Sequence, residues 1–283
     1  MMTFRAKPLL DITDNIMSNK LFRLTASEGK YNGRAKLYPS KNGALTIVEE
    51  MVCSNFIFNP NGLELRGLRG EMKIGKPTPE LEKIARSKAR ANAKIKDLIL
   101  CNQFDYFVTL TLSPDKVNRN DYESIIKRLN TYLANRVKRN GLYYVGVPEL
   151  HKKGGFHFHF LMNDCLPLID SGTVVRPIGG RPVRSETARK QGYSLEDCRT
   201  VYNLKDWKLG YTTAIRLQGD RRAIANYVGK YITKGKKVGG RWYYSGGDLR
   251  RPKYFYFNTD FDSFDPDYSF DTPNGEMLVR SYL

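Results

Sequence analysis

The chain has 283 residues, of which 41% are hydrophobic, and its formal net charge is +18. This length and apolar content allow a folded core and exclude a chain that is disordered throughout. The positive excess favours a polyanionic partner, either nucleic acid or an acidic membrane surface. No apolar run approaches the length of a membrane span, so composition favours nucleic acid.

Two further features indicate a cytoplasmic protein that acts away from membranes. The segment from Met1 to Asn15 lacks the long apolar core of a signal peptide. The four cysteines are widely spaced, which favours reduced thiols over a disulfide scaffold or a metal knuckle. The sequence carries no signal for a particular oligomeric state.

Composition divides the chain into three regions. Residues 1–76 have short apolar runs and a turn signal, and they predict a small, mostly β accessory region. Residues 77–257 carry long periodic segments and form the main domain, with an exposed, irregular insertion at 166–211. Residues 258–283 hold six acidic residues and one arginine, so we expect a disordered acidic tail.

Helix signals punctuate the main domain. Thr78-Pro79-Glu80 opens a helix that runs to about Leu100. Its basic side chains form either a phosphate-contacting surface or an ordinary solvated face: Arg86, Lys88, Arg90, Lys94 and Lys96. Asn120 with Glu123 predicts a capping box for a second helix, which Gly141 ends, and Asp220 caps a last helix ending near Gly235.

The strands predict an α+β fold built on a central antiparallel sheet with flanking helices. Tyr106–Leu112 is rich in β-branched and aromatic residues. Tyr143–Leu150 and Phe156–Met162 flank a short glycine turn, so we expect an antiparallel hairpin. Two closing strands are predicted at Arg241–Tyr244 and Lys253–Phe257.

All three histidines of the chain lie within nine residues, at 151, 157 and 159. Alternate residues of a strand share a face, so His157 and His159 project together, roughly 6–7 Å apart, while the flanking phenylalanines enter the core. The third ligand of a metal site comes from the neighbouring strand, with Glu149 preferred and His151 as its competitor. Mg²⁺ or Mn²⁺ suits these ligands, and Zn²⁺ also fits them.

The last helix contains two tyrosines and two lysines at helical spacing. Tyr227 and Tyr231 share one stripe, and Lys230 and Lys234 share an adjacent one. A phenol is a weak nucleophile at its ordinary pKa of about 10, and a nearby ammonium lowers the barrier to its attack on a phosphate. The same pattern also suits tyrosines at the edge of a core and solvated lysines.

Three motifs in this order resemble the HUH endonucleases, whose core is related to RNA-recognition and ferredoxin-like folds. They are Phe107-Val-Thr109-Leu-Thr111, His157-Phe-His159, and the segment from Tyr227 to Lys234. The resemblance covers about residues 104–257. It is greatest to the replication initiators of small single-stranded DNA phages and rolling-circle plasmids.

The resemblance implies a fold, a metal and a mechanism. The family fold has a central antiparallel sheet with helices on one side. The paired histidines would bind Mg²⁺ or Mn²⁺, and Glu149 would complete the site. Tyr227 and Tyr231 would be the nucleophiles, supported by Lys230 and Lys234, and attack would leave a 5′-phosphotyrosyl link and a free 3′ hydroxyl. Which tyrosine attacks first stays open.

The implied partners are single-stranded origin DNA and, in the cytoplasm of a host cell, a host helicase and polymerase. The sequence contains no phosphate-binding loop of the Gly-x-x-x-x-Gly-Lys-Ser/Thr type, so we expect unwinding by a separate helicase. Three alternatives stay open. They are a relaxase or transposase of the same superfamily, a non-catalytic nucleic-acid-binding module, and a metal-dependent hydrolase without a covalent intermediate.

Overall fold

The computed structural model describes residues 31–40, 42–55, 57–58, 79–118, 121–150, 156–234, 238, 240–272 and 275–282. Within this part of the chain the helices are α1 (Pro79–Cys101), α2 (Tyr122–Asn140), α3 (Ser185–Lys190) and α4 (Arg221–Lys234). The first seven strands are β1 (Gly33–Pro39), β2 (Leu45–Cys53), β3 (Tyr106–Thr111), β4 (Tyr144–Leu150), β5 (Phe156–Met162), β6 (Leu168–Val175) and β7 (Val183–Arg184). The remaining strands are β8 (Arg199–Leu204), β9 (Thr212–Arg216), β10 (Tyr244–Gly246), β11 (Lys253–Phe257), β12 (Tyr268–Thr272) and β13 (Gly275–Ser281).

The chain divides into two compact units. The first consists of Met1–Pro77 together with Arg250–Leu283, and the second is Thr78–Leu249. Every hydrophobic cluster found in the described residues draws its members from one unit alone.

The second unit is built on an eight-stranded sheet in the order β10-β4-β5-β3-β9-β8-β6-β7. Its strand pairs are antiparallel, including the predicted hairpin of β4 and β5. The predicted α+β class with a central antiparallel sheet and flanking helices is therefore confirmed.

Helices cover both faces of this sheet, whereas the resemblance implied helices on one side. Phe158 and Phe160 are fully buried on the face beneath α2, as the strand alternation predicted. On the opposite face Val147 and Leu161 are equally buried and pack with residues of α1 and α4. Because the central strands carry apolar side chains at both parities, both faces need a cover.

The helix ends follow local signals, with one correction. Asp121, not Asn120, is the N-cap of α2, and its side chain accepts a hydrogen bond from the Ser124 amide. Asn120 itself lies outside the described residues. Gly141 ends α2 with a left-handed φ of 65°, as predicted. The Asp220 carboxylate accepts a bond from the Arg222 amide at the start of α4.

The segment 166–211 is not the irregular insertion that its polarity predicted. It supplies β6, β7, α3 and β8, and β6 and β8 extend the main sheet. Its side chains alternate between exposed and half-buried, and its β6–β8 pairing is interrupted by a register shift between Asp170 and Thr173. An edge strand of this kind lacks the apolar run that marks β3 or β5.

The first unit contains a five-stranded sheet in the order β11-β1-β2-β13-β12. The predicted disordered tail therefore forms two strands, and β13 pairs with β2 through Met277–Ser281. The predicted strand Lys253–Phe257 is present, but it pairs with β1 in this sheet and does not close the main domain. Met277 and Val279 are fully buried, and this apolar content outweighs the acidic character of the segment.

Two other expectations concern thiols and membranes. All four cysteines are free thiols, as predicted. Among the described helices, none combines the length and apolar character needed to cross a membrane.

Candidate active site

Three strands of the second unit place polar side chains in rows on the face that α1 and α4 cover. The antiparallel registers set Glu149 opposite His157 and Thr111 opposite His157 on the other side. The next row contains His159 and Thr109. The imidazole centroids of His157 and His159 are 6.3 Å apart. Strand alternation alone is enough to bring these groups onto one surface.

His159 is the best-defined group of the site. It is 8% exposed, and its Nε2 lies 2.7 Å from Glu149 Oε2. Its other ring nitrogen, Nδ1, lies 3.1 Å from Thr109 Oγ1. A threonine hydroxyl can accept from or donate to an imidazole nitrogen, so this contact fixes the orientation of the ring whichever tautomer is present. Nε2 thereby faces the carboxylate.

Phe107 joins the histidine strand to α4. Its ring stacks on the His159 imidazole, with centroids 5.6 Å apart and an interplanar angle of 17°. The same ring makes an edge contact with Tyr227, again at 5.6 Å between centroids. Tyr227 is 48% exposed. One aromatic ring therefore separates the predicted metal ligand from the predicted nucleophile, and the phenol remains accessible to a substrate.

Packing of α4 on α1 sets the position of Tyr227. Ala225 and Val228 are buried against the cluster that includes Ile95 and Leu161. One turn further along, a Cβ added to Gly229 would lie 2.8 Å from the Asn92 side-chain oxygen of α1. Glycine at this position therefore allows α4 to approach α1 closely, at the cost of a weaker helix former.

Several predicted site residues fall at the limit of what the structure describes. The backbone at Lys230, Tyr231 and Lys234 is helical and belongs to α4, but their side chains lie outside the described part. His151, the alternative third ligand, also lies outside it. Of the predicted residues, the structure brings together His157, His159, Glu149 and Tyr227.

The donor set of the histidine face fits a divalent cation by its chemistry. Two imidazoles and one carboxylate from adjacent strands are ligands that Mn²⁺, Mg²⁺ or Zn²⁺ accepts. Within the described residues no three histidine, cysteine or acidic side chains are arranged as a metal-binding group. Instead, Glu149 and His159 bond to each other. His159 Nε2 and Glu149 Oε2 thus already converge on one point.

The basic helix α1 has mixed roles. Arg90, Lys94 and Lys96 are exposed, in keeping with either of the two interpretations of this helix. Lys88 instead lies over the Trp242 ring, 5.1 Å from its centroid, and so takes part in packing.

An exposed tyrosine extends the row of His157. The Thr111 amide donates a 2.8 Å bond to the Tyr211 carbonyl, immediately before β9. Because Thr111 pairs with His157 on its other side, strand alternation places Tyr211 on the histidine face. The side chain of Tyr211 is 74% exposed.

Sequence reasoning gave no role to Phe107, Thr109, Tyr211 or Gly229. Phe107 and Thr109 belong to one of the three motifs, and a count of alternate residues along β3 puts them on one face. Their partners, however, depend on the register between β3 and β5. No local signal in the sequence gives that register.

This geometry defines an α+β domain whose antiparallel sheet carries paired histidines, a carboxylate and a nearby tyrosine on one face. Residues 105–236, just under half of the chain, match the family of replication-associated proteins of the ORF2 type. The match spans β3 to α4 and supports a role in replication initiation. Comparison with curated proteins and with solved structures found no match.

Proposed function

We propose that this protein is a rolling-circle replication initiator that nicks single-stranded origin DNA and becomes joined to it through a tyrosine. The observation that carries the proposal is the Phe107 ring, which contacts both His159 and Tyr227 at 5.6 Å. A phosphodiester laid across this ring would meet the metal-ligating face on one side and the phenol on the other. The similarity to replication-associated proteins supports the same role.

The proposed step is an in-line displacement at phosphorus. The Tyr227 phenol oxygen forms a bond to the scissile phosphorus, and the bond from phosphorus to the 3′ oxygen breaks. The phenolic proton is released to solvent or to a nearby base, and the 3′ oxygen takes up a proton. The products are a 5′-phosphotyrosyl DNA and a free 3′ hydroxyl, which a polymerase can extend. No oxidant, reductant or cofactor-derived group is consumed.

His157, His159 and Glu149 are the residues that would hold Mg²⁺ or Mn²⁺. When bound, such a cation orients and polarises a phosphate oxygen. Thr109 orients His159, and Phe107 shields the imidazole on one side. The sequence-specific part of recognition then falls to surfaces that hold the bases on either side of the nick.

The second tyrosine extends this chemistry to rejoining. Tyr231 follows Tyr227 by one helical turn, so both belong to one stripe of α4. We propose that one phenol cuts to begin a round of replication and that the other cuts again to end it. Lys230 and Lys234, on the neighbouring stripe, would stabilise charge on the transferred phosphate.

The proposed partners follow from this role. Origin DNA supplies the substrate, and a helicase and a polymerase of the host cell cytoplasm supply unwinding and synthesis. The net charge of +18 favours association with DNA and predicts that binding weakens steeply as salt rises.

The test is covalent capture. The protein is incubated with 5′- or 3′-labelled single-stranded origin DNA of its own replicon and Mn²⁺, and the products are run on a denaturing gel. We expect a protein–DNA band that survives denaturation and disappears with a chelator. The double variant Tyr227→Phe, Tyr231→Phe should lose this band but retain DNA binding, and His157→Ala should lose metal-dependent cutting.

Tyr122→Phe is the matched control, since Tyr122 is an exposed tyrosine of α2, which packs on the opposite face of the sheet. It should attach to DNA as well as the unmodified protein does. Cleavage without attachment would identify a simple hydrolase. Binding without cleavage would identify a non-catalytic module, and attachment that persists in the double variant would refute the nucleophile assignment.

A further inference from the structure

A cavity of about 310 Å³ opens at the start of α4, away from the histidine rows. Its walls are apolar, formed by Phe104, Leu217 and Ile224. Its polar lining comprises Gln103, Asp105, Arg216 and Arg221. This volume lies at the lower end of the range for small-ligand pockets, which suits a group of the size of one nucleotide.

The cavity lies at a defined distance from the candidate active site. Asp105 immediately precedes β3, and Thr109, the neighbour of His159, lies four residues further on, about 13 Å at 3.3 Å per residue. On the helix, Ile224 lines the cavity and Tyr227 follows three residues later, a rise of about 4.5 Å. A strand held at Tyr227 would reach the cavity within a few nucleotides.

The polar lining carries both donors and acceptors. The Arg216 guanidinium is held by the Tyr106 hydroxyl and the Asp164 carboxylate, each at 3.0 Å. One oxygen of Asp105 accepts the Asp164 amide at 2.9 Å, which fixes the carboxylate at the cavity wall. Arginine donors match the O6 and N7 acceptors of guanine, and a carboxylate matches the N–H groups on the Watson–Crick edge of that base.

Resting on the proposed function, we propose that this cavity receives one unstacked base of the single-stranded DNA, with guanine preferred, and so sets the register of the strand at Tyr227. The apolar walls stack on the faces of the base, and the polar rim reads its edge. A base held here fixes which phosphate reaches the phenol. The cavity would then account for part of the sequence specificity of the nick.

The experiment compares Arg221→Ala with Arg222→Ala. Both variants remove one positive charge from the first turn of α4, but only Arg221 lines the cavity. Loss of one phosphate-attracting charge lowers general affinity about equally in the two. Binding is measured by fluorescence anisotropy to two probes, a twelve-nucleotide oligothymidine and the same oligomer with one central guanine. Circular dichroism verifies the fold of each variant.

The unmodified protein and Arg222→Ala should bind the guanine-containing oligomer about tenfold more tightly, as expected for one specific base contact. Arg221→Ala should bind the two oligomers equally, and Gln103→Ala should reduce the preference. A protein without guanine preference, or a preference that survives in Arg221→Ala, would overturn the inference. Covalent capture is measured separately, so a guanine preference without attachment would refute the nicking role and leave the cavity assignment standing.

Discussion

The contact between Thr109 and His159 shows how a single hydroxyl can control a catalytic imidazole. Thr109 Oγ1 is 3.1 Å from Nδ1, and the opposite nitrogen faces Glu149 at 2.7 Å. Partners of this kind fix the ring and its tautomer, and their loss weakens metal binding although no ligand has been removed. The candidate site therefore depends on residues that do not touch the substrate.

Thr109→Val keeps the shape of the side chain and removes the hydroxyl. We expect the Mn²⁺ concentration needed for half-maximal nicking to rise about 10- to 100-fold, with little change in DNA binding. The measurement is a Mn²⁺ titration of the nicking rate. Thr200→Val, in β8, is the control and should leave the titration unchanged. An unaltered Mn²⁺ dependence in Thr109→Val would show that the hydroxyl does not orient His159.

Tyr211 gives a second prediction at this scale. It is 74% exposed and continues the row of Thr111 and His157. Stacking of one base on an aromatic ring is worth about 1–3 kcal/mol by alanine substitution. Tyr211→Ala should therefore weaken binding of oligothymidine by about tenfold or more, whereas Tyr211→Phe should bind nearly normally because the ring is retained. Equal affinities for all three proteins would exclude a stacking role.

At the scale of elements, the close approach of α1 and α4 determines where Tyr227 lies. Gly229 is the residue that permits it, since an added Cβ would come within 2.8 Å of the Asn92 side chain. Alanine is the better helix former by roughly 1 kcal/mol, so the glycine reduces helix stability in favour of packing. The position thus separates stability from activity.

Gly229→Ala should leave the melting temperature unchanged or raise it, yet slow covalent attachment. A displacement of about 1 Å at a reacting group can cost about 100-fold in rate. The rate of attachment is measured under single-turnover conditions. The double variant Gly229→Ala, Asn92→Ala removes the contact and should recover most of the rate. Failure to recover would mean that the glycine acts through something other than this packing contact.

The sequence predicts the elements around the site well and those at the sheet edges poorly. Helices α1, α2 and α4 and strands β3 to β5 begin and end within a residue or so of their predicted bounds, because long periodic runs and caps are local signals. The segment 166–211 was predicted as irregular, since its strands are polar and pair with a register shift. Pairing between distant strands has no local signature.

The same limit applies to the candidate site. Alternation along β5 predicts that His157 and His159 share a face, and their centroids are 6.3 Å apart. The neighbours of these residues follow from the registers of three strands, which the sequence alone does not give. Phe107, Thr109 and the cavity at the start of α4 therefore became visible only in the structure.

At the scale of the whole molecule, the two ends of the chain build one unit. Strands β1 and β2 pair with β11 and β13, and Met277 and Val279 are fully buried in the cluster that includes Cys53. The acidic segment at 258–283, which composition predicted to be disordered, is thus structural. Each fully buried side chain of this size contributes about 1.5–3 kcal/mol.

Deletion of residues 266–283 removes β12 and β13 and leaves β2 without its β13 partner. We expect the first unit to unfold at a markedly lower temperature, since the lost burial approaches the total stability of a small domain. The second unit should keep its own transition, because its clusters contain only residues of Thr78–Leu249. Differential scanning calorimetry separates the two. Met277→Leu is the control, and an unchanged profile after deletion would contradict the structure.

The return of the chain to its first strands has a consequence for its synthesis. Asn32 donates a hydrogen bond to the Thr259 carbonyl, 227 positions later in the chain. At translation rates of about 5–20 residues per second, β1 and β2 wait about ten seconds or more for the strands that flank them. Throughout that interval the nascent ribbon exposes two open edges near the ribosome. Chaperone capacity during translation, more than the final fold, should therefore govern the yield of this protein in a recombinant host.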